Sequence, residues 1–204
     1  MLILASKSPR RSMLLKKIGV DFATIPSRYD ERHGISKDPH ELAALHAGGK
    51  AREVLSRSKN RIADIVLGVD TLVYLNGEIF GKPKNKSEAC RMIKKLAGHT
   101  HQVITAMCLI RVKDGKEITH TEVTDVTFDD MNDKEIESYM RTGEWKDKAG
   151  AYAIQGTAKQ FVNKIKGDFE NVVGLPVNVF SKLYDKLRYH GRKPVVLHCT
   201  KENL

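Results

Sequence analysis

The chain has 204 residues, 41 % of them hydrophobic and 29 % charged, with a formal net charge of +10. A chain of this length buries roughly 70 % of the surface its unfolded form exposes, so one domain with a full core is expected, and the composition excludes a disordered or fibrous chain. No apolar run reaches the roughly 18 residues that a membrane span needs; three cysteines without CxxC spacing (Cys90, Cys108, Cys199) fit neither a disulfide framework nor a zinc site and point to a reducing, cytoplasmic setting.

Met1 to Ala5 is apolar but short and lacks a basic flank, so Ile3 to Ala5 reads as a first strand and not as a signal peptide. Ser8 is placed to cap a helix with Pro9 at its first position, running to Lys17 and closed by Gly19. The junction Ser6 to Arg11 is the first place where local rules fail. A strand-to-helix turn offers free backbone N–H groups and a positive dipole end, which favour an anion. Arg10 and Arg11 have the wrong sign there, at ~0.3–1 kcal/mol each. A bound polyphosphate reverses that effect, and the planar guanidinium fork suits phosphate. The alternative is that both arginines are exposed or pair with nearby acids.

Asp38-Pro39-His40-Glu41 repeats the start signal, with Glu41 placed for a capping box, and the helix reaches about Arg57. Ala43, Ala47 and Val54 share a face with Lys50, so the lysine points into a cleft or snorkels to water. Gly48 and Gly49 disfavour the helix by ~0.8–1.0 kcal/mol each against alanine, which close packing or a kink would explain.

Ile65 to Leu75 is a strand, apolar on both sides of Asp70, as in a sheet buried on both faces. A carboxylate there is disfavoured unless a metal or cation compensates it, and such acids are candidates for chemistry. The alternative is that the strand ends near Asp70 and the acid faces solvent. Gly68 would let a ligand approach the backbone. Asn76-Gly77 turns the chain into a hairpin with Glu78 to Gly81, and Lys82 follows at a turn, facing a phosphate or water. Lys86 to Ala97 is a helix closed by Gly98. His101 to Val112 and Glu117 to Phe128 are strands joined by Asp114-Gly115. His99 and His101 share a strand face without a third metal ligand and read as ordinary polar residues. Asp133 to Arg141 is a helix closed by Gly143. Ala149 to Gln155 and Phe161 to Lys166 read as strands, and the Gln155 amide suits reading a base edge. Pro176 to Leu187 is the last helix. Beyond Gly191 a loose extension is expected, with a short strand at Val195 to Leu197. From Lys186 on, the basic residues Lys186, Arg188, Arg192, Lys193 and Lys201 face Glu202 alone. That charge suggests an anionic partner, but no aromatic stripe accompanies it as in single-strand binders. The hairpins exclude an all-parallel sheet, and dinucleotide and P-loop glycine patterns are absent.

These segments together resemble the Maf family of nucleotide pyrophosphatases over Leu2 to Leu187. The resemblance is carried by Ala5-Ser6-Lys7-Ser8-Pro9-Arg10-Arg11, Gly68-Val69-Asp70-Thr71-Leu72-Val73, Gly81-Lys82-Pro83, Gly98-His99-Thr100-His101-Gln102-Val103-Ile104-Thr105, Asp147-Lys148-Ala149-Gly150-Ala151-Tyr152-Ala153-Ile154-Gln155-Gly156 and Asn171-Val172-Val173-Gly174-Leu175-Pro176, in this order. It implies a mixed α/β, two-lobed fold of the inosine-triphosphatase type, with a long curved mixed sheet and flanking helices. It places the domain at residues 1–189, followed by a C-terminal extension, 190–204. It further implies cleavage of nucleoside triphosphates to monophosphate and pyrophosphate with Mg²⁺ or Mn²⁺, in a cytoplasmic homodimer. Carried over by position, Asp70 is the catalytic acid/base, and Glu31 joins it at the metal. Lys50 belongs to the catalytic set; Arg10, Arg11, Lys50 and Lys82 hold phosphates, with Ser8 beside them. Arg11, Thr71 and Gln155 fall where substrate subfamilies differ. Thr71 and Gln155 look like the branch acting on dTTP and UTP, with CTP or modified pyrimidine nucleotides as further substrates, and unlike the 7-methyl-GTP branch. Gly48-Gly49 and Trp145 depart from the family pattern. Two rival readings stay open: a regulatory nucleotide sensor of cell division without turnover, and a basic nucleic-acid-binding protein whose affinity falls with salt. No membrane partner and no specific nucleic acid are expected.

Overall fold

The computed structural model describes residues 1–31, 36–58 and 63–188. Its elements follow in the order β1 (Leu2–Leu4), α1 (Pro9–Lys17), β2 (Phe22–Thr24), α2 (Pro39–Arg57), β3 (Ile65–Leu75), β4 (Glu78–Phe80), α3 (Lys86–Leu96), β5 (Thr100–Arg111), β6 (Glu117–Phe128), α4 (Asp133–Thr142), β7 (Val162–Lys166), α5 (Phe169–Val173) and α6 (Val177–Arg188). The mixed α/β class is as the sequence reads. Seven strands form one sheet in the order β2-β1-β3-β5-β6-β7, with β4 returning on β3 through the Asn76-Gly77 turn. β2, β1 and β3 run parallel, and the pairs from β3 to β7 are antiparallel.

Alternation along β3 and β5 sends side chains to two cores, one on each face. On one face Ala43, Ala47 and Ala51 of α2 pack with Val66, Ile104 and Cys108. On the other, Leu15, Ile93, Tyr139 and Phe180 from α1, α3, α4 and α6 join the cluster of Leu67 and Met107. The helix on the first face lies unusually close. A Cβ at Gly68 would come 2.1 Å from the Ala47 carbonyl oxygen. The backbone approach expected at Gly68 is therefore made by α2 and not by a ligand.

The sheet has an interruption that positions everything below. β5 pairs with β3 along Ile65 to Tyr74. On the opposite edge β1 covers only Ile65 to Leu67, and β4 covers only Val73 to Leu75. Among the described residues Gly68 to Leu72 thus have no strand on that side, and Asp70 and Thr71 sit in this gap.

Several local expectations are corrected. Ser8 takes the N-cap position of α1, but its side chain makes no capping hydrogen bond. Asp38 does cap α2, accepting from the His40 N–H, but Glu41 accepts from the Ser36 hydroxyl at 2.7 Å instead of closing a capping box. Ala149 to Gln155 is not a strand. Gly150 and Ala151 adopt φ of 66° and 62°, which ends any extended run and makes a 3₁₀ turn at Ala149–Ala151. The basic extension 190–204, with Cys199 and the strand expected at Val195 to Leu197, lies outside the described residues. Among the described residues no helix is long and apolar enough to cross a membrane.

Candidate active site

A cleft of about 650 Å³ opens over the gap in the sheet, within the range of small-ligand sites. Its floor is β3, and its walls come from the β1–α1 junction, α2, the turn after β4 and the segments 147–152 and 172–174. Asp70 points to the α2 face and is only 4 % exposed. Its Oδ1 meets the Lys50 ammonium at 2.5 Å, and Lys50 also reaches Glu31 Oε1 at 2.8 Å. Lys50 itself is 7 % exposed, so it points into the cleft and does not snorkel out. Asp70 Oδ2 faces His46 Nδ1 at 3.4 Å, longer than a good hydrogen bond. Burial pushes the Asp70 carboxyl up, but the charge of Lys50, with help from His46 and Arg11, outweighs it. The net effect holds Asp70 well below the usual carboxylate range.

Thr71, one residue on, points to the opposite face and meets Arg11. The Arg11 guanidinium donates from Nε to the Gly174 carbonyl at 2.9 Å, from Nη1 to Ser6 Oγ at 3.1 Å and from Nη2 to Thr71 Oγ1 at 3.0 Å. Each Nη carries a second N–H for a ligand. Burial lowers its pKa to about 10, so it stays charged at neutral pH. Arg10 donates to the Val173 carbonyl at 3.2 Å. Burial lowers its pKa too, against the opposing pull of Asp147. The Ser8 N–H donates to Ser6 Oγ at 3.1 Å, fixing the junction so that both serines line the cleft. Lys82 stands at the rim, its Nζ 3.9 Å from Glu31 Oε1.

The cleft therefore brings together Ser8, Arg10, Arg11, Glu31, Lys50, Asp70, Thr71 and Lys82, eight of the nine residues singled out from sequence. It does not bring in Gln155, which is exposed and outside the cleft walls. The reason is local: the 3₁₀ turn sends Tyr152 and Ile154 inward, and the turn closed by the Gly156 N–H on the Ala153 carbonyl faces Gln155 away. Gly49 is explained by close packing, since a Cβ there would lie 2.3 Å from the Tyr29 ring.

Some residues of the cleft escaped the sequence reading. Lys7, Lys148 and Asp147 line it, which makes its basic side chains outnumber its acids two to one. His46, 1 % exposed, lies one helical turn before Lys50, so the same face argument that singled out Lys50 reaches it. Asn171 is fully buried; its amide donates to the Val103 carbonyl at 3.0 Å and to Thr124 Oγ1 at 2.9 Å, anchoring the segment whose carbonyls hold Arg10 and Arg11. His101, read from the sequence as an ordinary polar residue, is buried against Tyr152.

The donors around Asp70 suit a divalent cation. Glu31, His46 and Asp70 each offer an atom, and these atoms lie within 4.8 Å of one another. Asp70 Oδ2 is buried and accepts no hydrogen bond among the described residues, a donor that a cation would satisfy.

The chain is similar to known proteins over most of its length. A "dTTP/UTP pyrophosphatase" of Thermococcus gammatolerans is 46 % identical over 183 residues, 90 % of this chain and 95 % of that protein. One of the same name from Methanosarcina barkeri is 44 % identical over 186 residues, 91 % of this chain and 93 % of its own length. A solved structure of the Staphylococcus aureus Ham1 protein has a TM-score of 0.48 at 15 % identity, covering 91 % of this chain and 98 % of that one, a likeness too distant to carry an argument. Residues 1–187 match the family described as Maf-like protein, and the chain belongs to that family.

Proposed function

We propose that the chain hydrolyses nucleoside triphosphates, dTTP and UTP foremost, to the monophosphate and pyrophosphate. One observation carries the reading: a buried carboxylate, Asp70, sits in a gap of the sheet and is held ionised by Lys50 beneath a predominantly cationic cleft. The names of the relatives support the same substrates.

Arg10, Arg11 and Lys82 would hold the phosphates, with the β1–α1 junction offering N–H groups beside Ser8. Glu31 and Asp70 would hold a divalent cation, Mg²⁺ or Mn²⁺, which would offset phosphate charge and polarise a phosphoryl oxygen. Asp70, ionised at neutral pH, orients a water towards the α phosphorus and takes its proton as the new P–O bond forms. The bond to the bridging oxygen breaks, and pyrophosphate leaves against the arginines and lysines. The proposal takes residues 1–189 as the catalytic unit of a cytoplasmic homodimer. Sedimentation of the full chain checks the dimer.

Incubating purified protein with each canonical and modified nucleotide and Mg²⁺ or Mn²⁺, and assaying monophosphate and pyrophosphate, tests the activity. Asp70→Asn is expected to lower turnover by at least ~10²-fold. A variant as fast as the wild type would remove Asp70 from the chemistry. Saturable binding without product would return the regulatory reading.

A further inference from the structure

Two side chains of α2 meet Asp70 from different directions. Lys50 takes Oδ1, and His46, one turn earlier, faces Oδ2 through Nδ1 at 3.4 Å. The lysine and the imidazole therefore do not compete for one oxygen. Two donors about 2.1 Å from a shared ion, at angles between octahedral and tetrahedral, lie about 3.0–3.4 Å apart. The His46–Asp70 separation falls at the upper end of that range without any movement. Tyr29 meets the His46 ring edge-on, with centroids 5.9 Å apart. The surrounding face of α2 is built from alanines, where an apolar side chain would serve packing equally well. The ring is 1 % exposed, and its Nδ1 faces a buried carboxylate oxygen.

We propose that His46 is a protein ligand of the divalent cation held by Asp70 and Glu31, and that its nitrogen shifts this centre's preference towards Co²⁺ over Mg²⁺. The proposal rests on the metal-dependent reading of the cleft. An all-oxygen donor set suits Mg²⁺, whereas imidazole favours later first-row ions. His46 contributes that nitrogen from α2, at the carboxylate oxygen that Lys50 does not take. A histidine that merely hydrogen-bonds Asp70 would orient the carboxylate but would leave metal choice to the oxygens.

The test uses the full chain without nucleotide. Pulsed electron paramagnetic resonance of the Mn²⁺-loaded protein is expected to show imidazole nitrogen coupling, absent in His46→Gln and His46→Leu. Calorimetric titration is expected to show Co²⁺ affinity falling at least about tenfold in both variants, with Mg²⁺ affinity nearly unchanged. Two variants are used because leucine preserves the apolar packing if glutamine disturbs the fold, and the wild-type spectrum reads the ligand directly. Absence of nitrogen coupling in the wild type, coupling that persists in both variants, or equal loss of Co²⁺ and Mg²⁺ affinity would overturn the assignment. Turnover of dTTP by a chain without nitrogen coupling would sink the His46 ligand alone. Coupling without turnover would keep the ligand and sink the hydrolase reading.

Discussion

Lys50 and Asp70 are each almost fully enclosed, and each is the other's nearest opposite charge. Replacing Lys50 by methionine is expected to destabilise the chain by about 3 kcal/mol, since it takes the nearest cation from a buried carboxylate. Adding Asp70→Asn to Lys50→Met should restore much of that loss, and urea unfolding of the single and double variants measures the coupling. Both residues were legible because each breaks the pattern around it, an acid in an apolar strand and a lysine in an alanine stripe. Arg10 and Arg11 stood out by having the wrong sign for a helix start. His46 lay under the same helical argument but broke no rule strongly, since a histidine is tolerated on many faces. Gln155 is a different case: its surroundings suggested a strand, and the positive φ of Gly150 and Ala151, which ends that strand, was not legible.

At the level of elements, α2 and β3 were readable because both carry long signals, a proline-led start with apolar periodicity and a continuous apolar run. β2, with three residues, and α5, with five, span less than two repeats of their period and went unread. The contact between α2 and β3 was not legible at all, because Gly68 alone does not say which backbone approaches it. Gly68→Ala sets its Cβ against the Ala47 carbonyl, and α2 must lift to make room. A loss of about 1–3 kcal/mol is expected in thermal or urea melts. The same shift carries Lys50 and His46 away from Asp70, so turnover should fall at temperatures where the variant remains fully folded.

Across the whole molecule, one buried histidine ties stability at acid pH to the cleft wall. His101 packs edge-on against Phe128 and shares a hydrogen bond with the Tyr152 hydroxyl, and Tyr152 lines the cleft. Burial lowers its pKa to about 4. The unfolded chain takes up the proton near pH ~6.5, so between these values it binds more protons than the folded chain. Stability is therefore expected to fall as pH drops from about 6.5 to 4, by an amount on the order of 2–3 kcal/mol for this group. His101→Gln should flatten that part of the pH profile, as read by urea midpoints across the range.

The interruption of the sheet between β1 and β4 has a mechanical consequence. It is a window in β3's edge, framed at each end by hydrogen-bonded ladders and backed by the full pairing with β5. Widening it would require unzipping one of those ladders. The spacing between the Arg11–Thr71 contact above the sheet and the Lys50–Asp70 contact below is thus set by backbone rungs. A molecule bridging the two faces meets a rigid gauge, so discrimination by size at this aperture needs no moving part.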